Sequence, residues 1–293
     1  MMALFPYWCP GCFTVRPSIN VISLSQFHMG IVVITMVGVS KLAFASALAQ
    51  KTHGAVDLVI VQRSSVLTLR ERFLRAQKMF RERRFFSEMW YSLMLRLHPK
   101  ARRTLAYFRE SSAERNFNPK NTPKILEVDS VNSEETLAVL RKLSPDLLVV
   151  WGSKRLDTAV LATAKQSINL HIGRCPYYRG TLANQHAVLS DDFTRIGATV
   201  HHVASEIDSG DILSIIEPDL SKKPRELFCD LNDRAQATCI DIAARLYAGE
   251  QIPKMEQDRK TGKTLFLREW TPAVRYKVAT RMREWEENGL TLA

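Results

Sequence analysis

Hydrophobic positions along the chain fall into two rhythms, short β-branched runs and longer stretches at helical spacing, and the two alternate. Residues 30–37 form a near-continuous apolar run that predicts a buried parallel strand. An Ala-rich stretch over 40–50, with Ser40 placed to cap it, predicts a helix, and 57–61 predicts a second strand after Gly54. The three make one βαβ unit. Later strands are expected at 125–128, 147–151, 168–171, 198–203 and 212–216, with helices at 133–143, 157–164 and 181–189 between them. Residues 224–247 predict a closing amphipathic helix, 264–267 a short edge strand and 271–288 a terminal helix. This alternation predicts an α/β fold, a Rossmann-like, mostly parallel sheet with helices on both faces.

One stretch breaks the alternation. Beyond Gln62, Leu67, Leu69, Phe73, Leu74, Met79 and Phe80 recur near helical spacing among arginines, and a second helical segment runs over 85–97 to Pro99. Residues 63–115 hold fourteen Lys/Arg against five Asp/Glu, so this insert carries most of the formal net charge of +11. Such charge is solvated or meets an anion, because unpaired buried arginines cost too much. Three uses stay open: a plain solvated face, a surface for a phosphate-bearing substrate or RNA, and a membrane-surface helix. RNA is the less favoured partner.

The other features narrow the picture by exclusion. Residues 30–49 are apolar over about a bilayer's thickness, but Lys41 near the middle is costly in lipid, so a strand followed by a helix fits better and no stable membrane span is expected. Residues 1–29, with Pro6, Pro10, Gly11 and Pro17 and a single charge at Arg16, predict a poorly ordered extension, with the fold starting at Met29–Gly30. Cys9 and Cys12 sit in that extension without the strand and helix a redox motif needs, and without a second ligand pair for zinc. Five scattered cysteines argue for a reducing compartment, and a cytoplasmic location is expected. The expected organisation is an extension over 1–29, an α/β domain over 30–217 carrying the insert at about 63–115, and a C-terminal helical segment over 218–293 packing on it.

Candidate chemistry collects at two strand ends. The strand through Asn169-Leu-His171 stops and enters the Pro/Gly-bounded loop Ile172-Gly-Arg-Cys-Pro-Tyr-Tyr-Arg-Gly180. Downstream, Gly197-Ala-Thr-Val-His201 leads through a polar turn to Asp208-Ser-Gly-Asp-Ile212. Asn169, His171 and Asp208 thus fall at or just past strand ends, where an open α/β sheet presents side chains to a ligand. An amide, an imidazole and a carboxylate gathered there can bind an oxyanion and move a proton, which is acyl-transfer chemistry without a covalent nucleophile. Cys175 has no paired base in the sequence, and a zinc site from His171, Cys175 and a strand histidine has no recognisable ligand spacing, so no metal is expected.

These ordered segments, with Pro145-Asp-Leu-Leu-Val-Val-Trp-Gly-Ser-Lys-Arg-Leu156 upstream, resemble the 10-formyltetrahydrofolate-dependent formyltransferases, which include the glycinamide ribonucleotide, methionyl-tRNA and nucleotide-sugar enzymes. The resemblance covers roughly residues 30–62 and 124–217. It implies a folate-dependent N-formyltransferase with 10-formyltetrahydrofolate as co-substrate and a primary amine as acceptor. Asn169, His171 and Asp208 become the catalytic set. Trp151, Gly152, Arg155 and Leu156, with Val203 and Ile207, become the walls of the pteridine pocket, and His201 becomes structural support behind the reacting groups. Tyr177, Arg179 and Gly180 become acceptor contacts, with the Arg179 guanidinium available to a phosphate or carboxylate.

Departures from the family pattern bear on the acceptor. The turn after the first strand, Val37-Gly-Val-Ser-Lys-Leu42, holds one glycine and no run of small residues to cradle a phosphate, which disfavours glycinamide ribonucleotide. The chain after Ser221 is too helical for the β-barrel of the tRNA enzymes. The loop over 172–180 most resembles enzymes that formylate nucleotide-linked amino sugars, and a hydroxyornithine-type amine stays open. A rival expectation is a formyltransferase-like protein whose insert binds RNA or an anionic membrane, and a homodimer is left open.

Overall fold

In the computed structural model, residues 30–63, 68–114 and 117–289 are described; the expected extension over 1–29 and Leu67 lie outside them. The apolar runs become β1 (Ile31–Met36) and β2 (Val56–Gln62), parallel to each other and joined by helix α1 (Val39–Lys51). The former membrane candidate is therefore a strand and a helix, and no described helix is long and apolar enough to cross a membrane. Ser40 lies inside α1 and does not cap it; Gly38 occupies the cap position and no side chain bonds there.

The insert folds as α2 (Leu69–Arg81), α3 (Phe85–Leu97) and α4 (Pro99–Tyr107). Thr68 and Glu71 form a reciprocal capping box at the start of α2, which satisfies two of its free backbone donors. Helix α4 was not expected: Pro99 reads as a stop, yet proline is favoured in a first turn, where its missing N–H costs nothing.

The chain then returns to the sheet with β3 (Ile125–Val128), α5 (Glu134–Leu143), β4 (Leu147–Trp151), a single turn α6 (Thr158–Leu161) and β5 (Gln166–His171). Helix α6 is half the expected length, because the turn over 162–165 leads straight into β5. A short strand β6 (Tyr178–Gly180) lies inside the Pro/Gly loop and is followed by α7 (Ala183–Leu189). Strands β7 (Ala198–His202) and β8 (Ile212–Ile216) precede the long helix α8 (Pro224–Tyr247), the strand β9 (Lys263–Leu265) and the helix α9 (Pro272–Asn288).

Seven strands make one sheet in the order β3-β2-β1-β4-β5-β7-β8; the first five are parallel, β7 runs against them, and β8 is antiparallel to β7 and so runs with the five. Alternation along each strand splits the core in two. Ile31 and Val33 join Phe44 and Leu48 of α1 and Phe228 and Leu231 of α8 on one face, while Val32 and Ile34 join Leu137 and Leu140 of α5 on the other. The expected edge strand does form, but it pairs in parallel with β6 in a separate two-stranded sheet rather than at the edge of the large one. Helix α9 fills the first core with Val278, Met282 and Trp285, and α3 and α4 pack on its outer side through Leu95, Ala101 and Ala279. The buried Glu88 of α3 accepts from the Ala273 N–H at 3.2 Å, placing a negative charge at the N-terminus of α9.

The strand order reverses between β1 and β4, so a crevice opens beyond their carboxyl ends, the position where open α/β sheets take ligands.

Candidate active site

The site is built on the antiparallel pairing of β5 with β7. Asn169 lies directly opposite His201, and His171 opposite Thr199. Facing residues in such a pair point to the same side of the sheet, so all four share one face while Ile168, Leu170 and Val200 enter the opposite core. Val150 of β4 is in register with Asn169, which sets the amide beside the apolar cluster that contains Leu156 and contacts Val203.

Asp208 closes the arrangement from the loop between β7 and β8, with its backbone in the left-handed region at φ 47°. Its Oδ1 accepts from Asn169 Nδ2 at 3.0 Å and lies 3.4 Å from His201 Nε2. Its Oδ2 lies 3.2 Å from His171 Nδ1 and accepts from the Gly180 N–H at 2.8 Å. One carboxylate therefore meets the amide, both imidazoles and a backbone donor of the Pro/Gly loop. Burial by itself pushes the Asp208 carboxyl up, but the charge of His171, the bond and charge of His201 and the Gly180 N–H outweigh it, so the group is held well below the usual carboxylate range.

The hydrogen-bond partners fix the rings. His201 Nδ1 donates to the His202 carbonyl at 2.7 Å, and its Nε2 lies between Asn169 Nδ2 at 3.1 Å and Asp208 Oδ1 at 3.4 Å. His171 Nε2 donates to the Tyr178 carbonyl at 2.9 Å while its Nδ1 faces the carboxylate, so both ring nitrogens meet acceptors. Space around this ring is tight: a Cβ on Gly173 would come within 2.3 Å of His171 Nε2.

The loop and the C-terminal segment hold Asp208 from behind. Gln257 Nε2 donates to the Asp208 carbonyl at 3.2 Å and to the Gly210 carbonyl. Gly180, at φ 86°, brings β6 so close to β9 that a Cβ there would stand 2.2 Å from the Leu265 carbonyl oxygen. Gln257 carries no motif that would single it out in the sequence. His201, expected as structural support, stands in direct contact with both Asn169 and Asp208.

The remaining expected residues spread around this cluster. Trp151 ends β4 with its ring edge-on to Phe44, Gly152 follows at φ 67°, and Leu156 is buried in the second core. Arg155 is exposed, its carbonyl accepting from Asn132 Nδ2 at 2.9 Å, and Val203 and Ile207 are half-buried. Tyr177 lies under the Arg195 guanidinium, 4.4 Å from the ring centre. Arg179 is buried and donates to the Arg259 carbonyl at 3.1 Å, and among the described residues its Nε and Nη1 have no hydrogen-bond partner. Burial pushes the Cys175 thiol up and Asp208 adds to the shift, so it is no ready nucleophile. Arg84 pairs with Glu82, and neither Arg83 nor Arg84 makes a hydrogen bond or ion pair to the cluster among the described residues.

A cation stands at the switch point. Lys41, in the first turn of α1, points its Nζ at the Gly152 carbonyl 3.5 Å away, across the crevice between β1 and β4. Burial, and then the nearby Arg109, lower its pKa to about 8. The single-glycine turn thus carries a lysine where a run of small residues would otherwise cradle an anion.

Comparison with known proteins accords with this geometry. Residues 32–226 match the profile of a family described as formyl transferase. The methionyl-tRNA formyltransferase of Syntrophus aciditrophicus is 30% identical over 139 residues, 46% of this chain and 44% of that protein. That of Thermotoga maritima is 30% identical over 145 residues, 47% of this chain and 45% of that protein. The matches thus span less than half the length of these curated relatives. Among solved structures, an N-formyltransferase from Helicobacter canadensis, in complex with folinic acid and dTDP-3-aminofucose, superposes with a TM-score of 0.51 at 13% identity, covering 88% of this chain and 82% of that one. A Mycobacterium tuberculosis protein described as a candidate sugar N-formyltransferase gives 0.51 at 15% identity, covering 83% and 77%. At these identities the structural likeness is one of fold.

Proposed function

The chain belongs to the formyl transferase family, and on that premise we propose that it moves a formyl group from 10-formyltetrahydrofolate to a primary amine of a small anionic acceptor, a nucleotide-linked amino sugar being favoured. The observation that carries this reading is the Asp208 carboxylate bound at once to Asn169, His171, His201 and Gly180. The surroundings suit such a donor. Asn169 is partly open near the carboxyl end of β5, beside the apolar cluster of Leu156 and Val203. Leu156, Val203, Ile207 and Trp151 would form the walls for a flat ring system, and Gly152 and Arg155 would read its edge.

The donor supplies a formyl carbon joined to nitrogen; addition of an amine builds negative charge on the carbonyl oxygen and positive charge on the attacking nitrogen. Asn169, with one N–H held by Asp208, can turn the other to that oxygen without changing protonation, and His171, protonated, adds positive charge beside it and a charge-assisted bond if it gives up the Tyr178 carbonyl for that oxygen. Asp208, held ionised, keeps both groups aimed and can take the amine proton, directly or through water, and return it to the departing nitrogen. The new nitrogen–carbon bond replaces the old one and no electrons are gained or lost. Lys41, with Arg109 near it, supplies positive charge at the switch point for an anionic group of the acceptor. Tyr177, Gly180 and the unpartnered nitrogens of Arg179 are the acceptor contacts on the loop side.

A second acceptor class rests on a specific observation: the curated relatives matched over 139 and 145 residues are methionyl-tRNA enzymes. The test is an acceptor screen with 10-formyltetrahydrofolate, following tetrahydrofolate release and the mass of the product. Turnover is expected with a nucleotide amino sugar. Turnover confined to charged initiator tRNA moves the assignment to that class, and none with any amine overturns the proposal.

A further inference from the structure

The basic insert presents an apolar face that none of the described residues covers. On α3, Phe86, Met89, Trp90, Leu93 and Leu97 are 45–67% exposed and lie on one side of the helix, following an i, i+3, i+4, i+7, i+11 spacing. The opposite side carries Glu88 and Leu95, which are buried against α9. The preceding helix repeats the device. On α2, Leu69, Phe73 and Phe80 fall on one face at i, i+4 and i+11 and are 63–82% exposed. Phe85 packs edge to face with both Phe80 and Phe86, and Phe80 lies tilted against Phe86, where the two helices meet, so the hairpin is braced by its own aromatic cluster.

The charges around this face choose its partner. Residues 69–107 carry eleven Lys/Arg and three Glu, and one of those glutamates, Glu88, is spent at the start of α9. Arg96, Lys100 and Arg103 are exposed and make no ion pair among the described residues. A second copy of the same hairpin packed about a twofold axis would set these positive rims against each other. An anionic bilayer surface meets both needs: the headgroups pair the arginines, and the acyl boundary takes Trp90, Phe86 and Leu93, aromatic and aliphatic groups that favour that depth.

We propose that the α2–α3 hairpin is a membrane-surface anchor that lays its Phe86–Leu97 face into an anionic lipid monolayer and so places the protein at a bilayer surface. The proposal is independent of the acceptor's identity and of the site chemistry.

The test is flotation of the full chain with phosphatidylcholine vesicles, with and without phosphatidylglycerol. Binding to the phosphatidylglycerol vesicles should exceed binding to phosphatidylcholine alone by about tenfold or more, since each basic residue near such a surface contributes about 1 kcal/mol, and it should fall steeply with salt. Trp90→Glu together with Leu93→Glu should abolish flotation with the melting temperature unchanged, because both side chains already face solvent. Arg96→Ala with Arg103→Ala should weaken it only on anionic vesicles. Absence of flotation on anionic vesicles overturns the proposal, as does equal flotation of the Trp90/Leu93 variant. A concentration-dependent dimer that this same variant dissociates also overturns it, and assigns the face to a second copy.

Discussion

Asn169 and His201 face each other across the β5–β7 pair, and the Asn169 carboxamide bridges from His201 Nε2 to Asp208 Oδ1. The amide proposed to meet an oxyanion is thus held by a histidine thirty-two residues away in the chain. His201 is buried and tethered at its other nitrogen to the His202 carbonyl, so its position is fixed before any ligand arrives.

This contact separates the roles of the two histidines. His171→Ala should lower kcat by about 10² or more, as loss of a charge-assisted donor does. His201→Ala should lower it less, by roughly 10-fold, and His201→Asn, which keeps a polar group toward Asn169, should recover part of that loss. Steady-state kinetics of folded variants, with the kcat pH profile recorded for each, check this. An unshifted profile and normal kcat for His201→Ala would remove it from the site.

Asp208 predicts a pH-dependent stability. Its folded carboxyl is depressed relative to the unfolded chain, so the ionised form stabilises the fold at every pH above the ordinary carboxylate value and that contribution is lost as pH falls toward the folded value. Asp208→Asn should therefore melt below the wild type by a constant margin from neutral pH down to about pH 5, with the gap closing below about pH 4. Melting scans across that range decide the matter; a gap that widens on acidification contradicts the ion-pair account.

Lys41 carries the opposite sign. Its folded pKa is lowered to about 8, so below that pH the fold bears a partly buried cation it would rather not hold, and the penalty is relieved as pH rises past 8. Lys41→Met should raise the melting temperature at pH 7, with the gain shrinking by about pH 10, where the unfolded lysine also begins to lose its proton. The same variant should raise the KM for an anionic acceptor in a salt-sensitive manner. A variant less stable at pH 7, with KM unchanged, would show that Lys41 is held by packing alone.

Gly180→Ala tests the clasp between β6 and β9. A methyl group at φ 86°, 2.2 Å from the Leu265 carbonyl oxygen, must push the two strands apart. A loss of roughly 1–3 kcal/mol in stability is expected from such strain. Turnover should fall as well, because the Gly180 N–H to Asp208 bond lies on the same residue.

Much of the fold is written in local pattern, and the site only in part. The β-branched runs at 31–36 and 147–151 and the amphipathic repeat of α8 announce themselves, because burial on two faces or on one leaves its period in the sequence. Asn169 and His171 stand out as candidates for a different reason, their place two positions apart at a strand end within a series of ordered motifs. Helix α4 is hidden because Pro99 masks its start and its burial comes from α9, far along the chain. The tie from His201 to Asn169 depends on the register of an antiparallel pair, which no local spacing encodes. The hold of Gln257 on Asp208 joins residues forty-nine apart through a segment without regular structure, and nothing in the sequence marks it.

The order in which the chain leaves the ribosome gives the β6–β9 pair a further meaning. The span that matches the family ends at residue 226, yet Gln257 and Leu265, which brace Asp208 and Gly180, lie beyond it. A nascent chain that has released every strand of the seven-stranded sheet still lacks the strap behind its carboxylate. The parallel sheet can assemble while synthesis proceeds, but the site closes only after residue 265 has emerged.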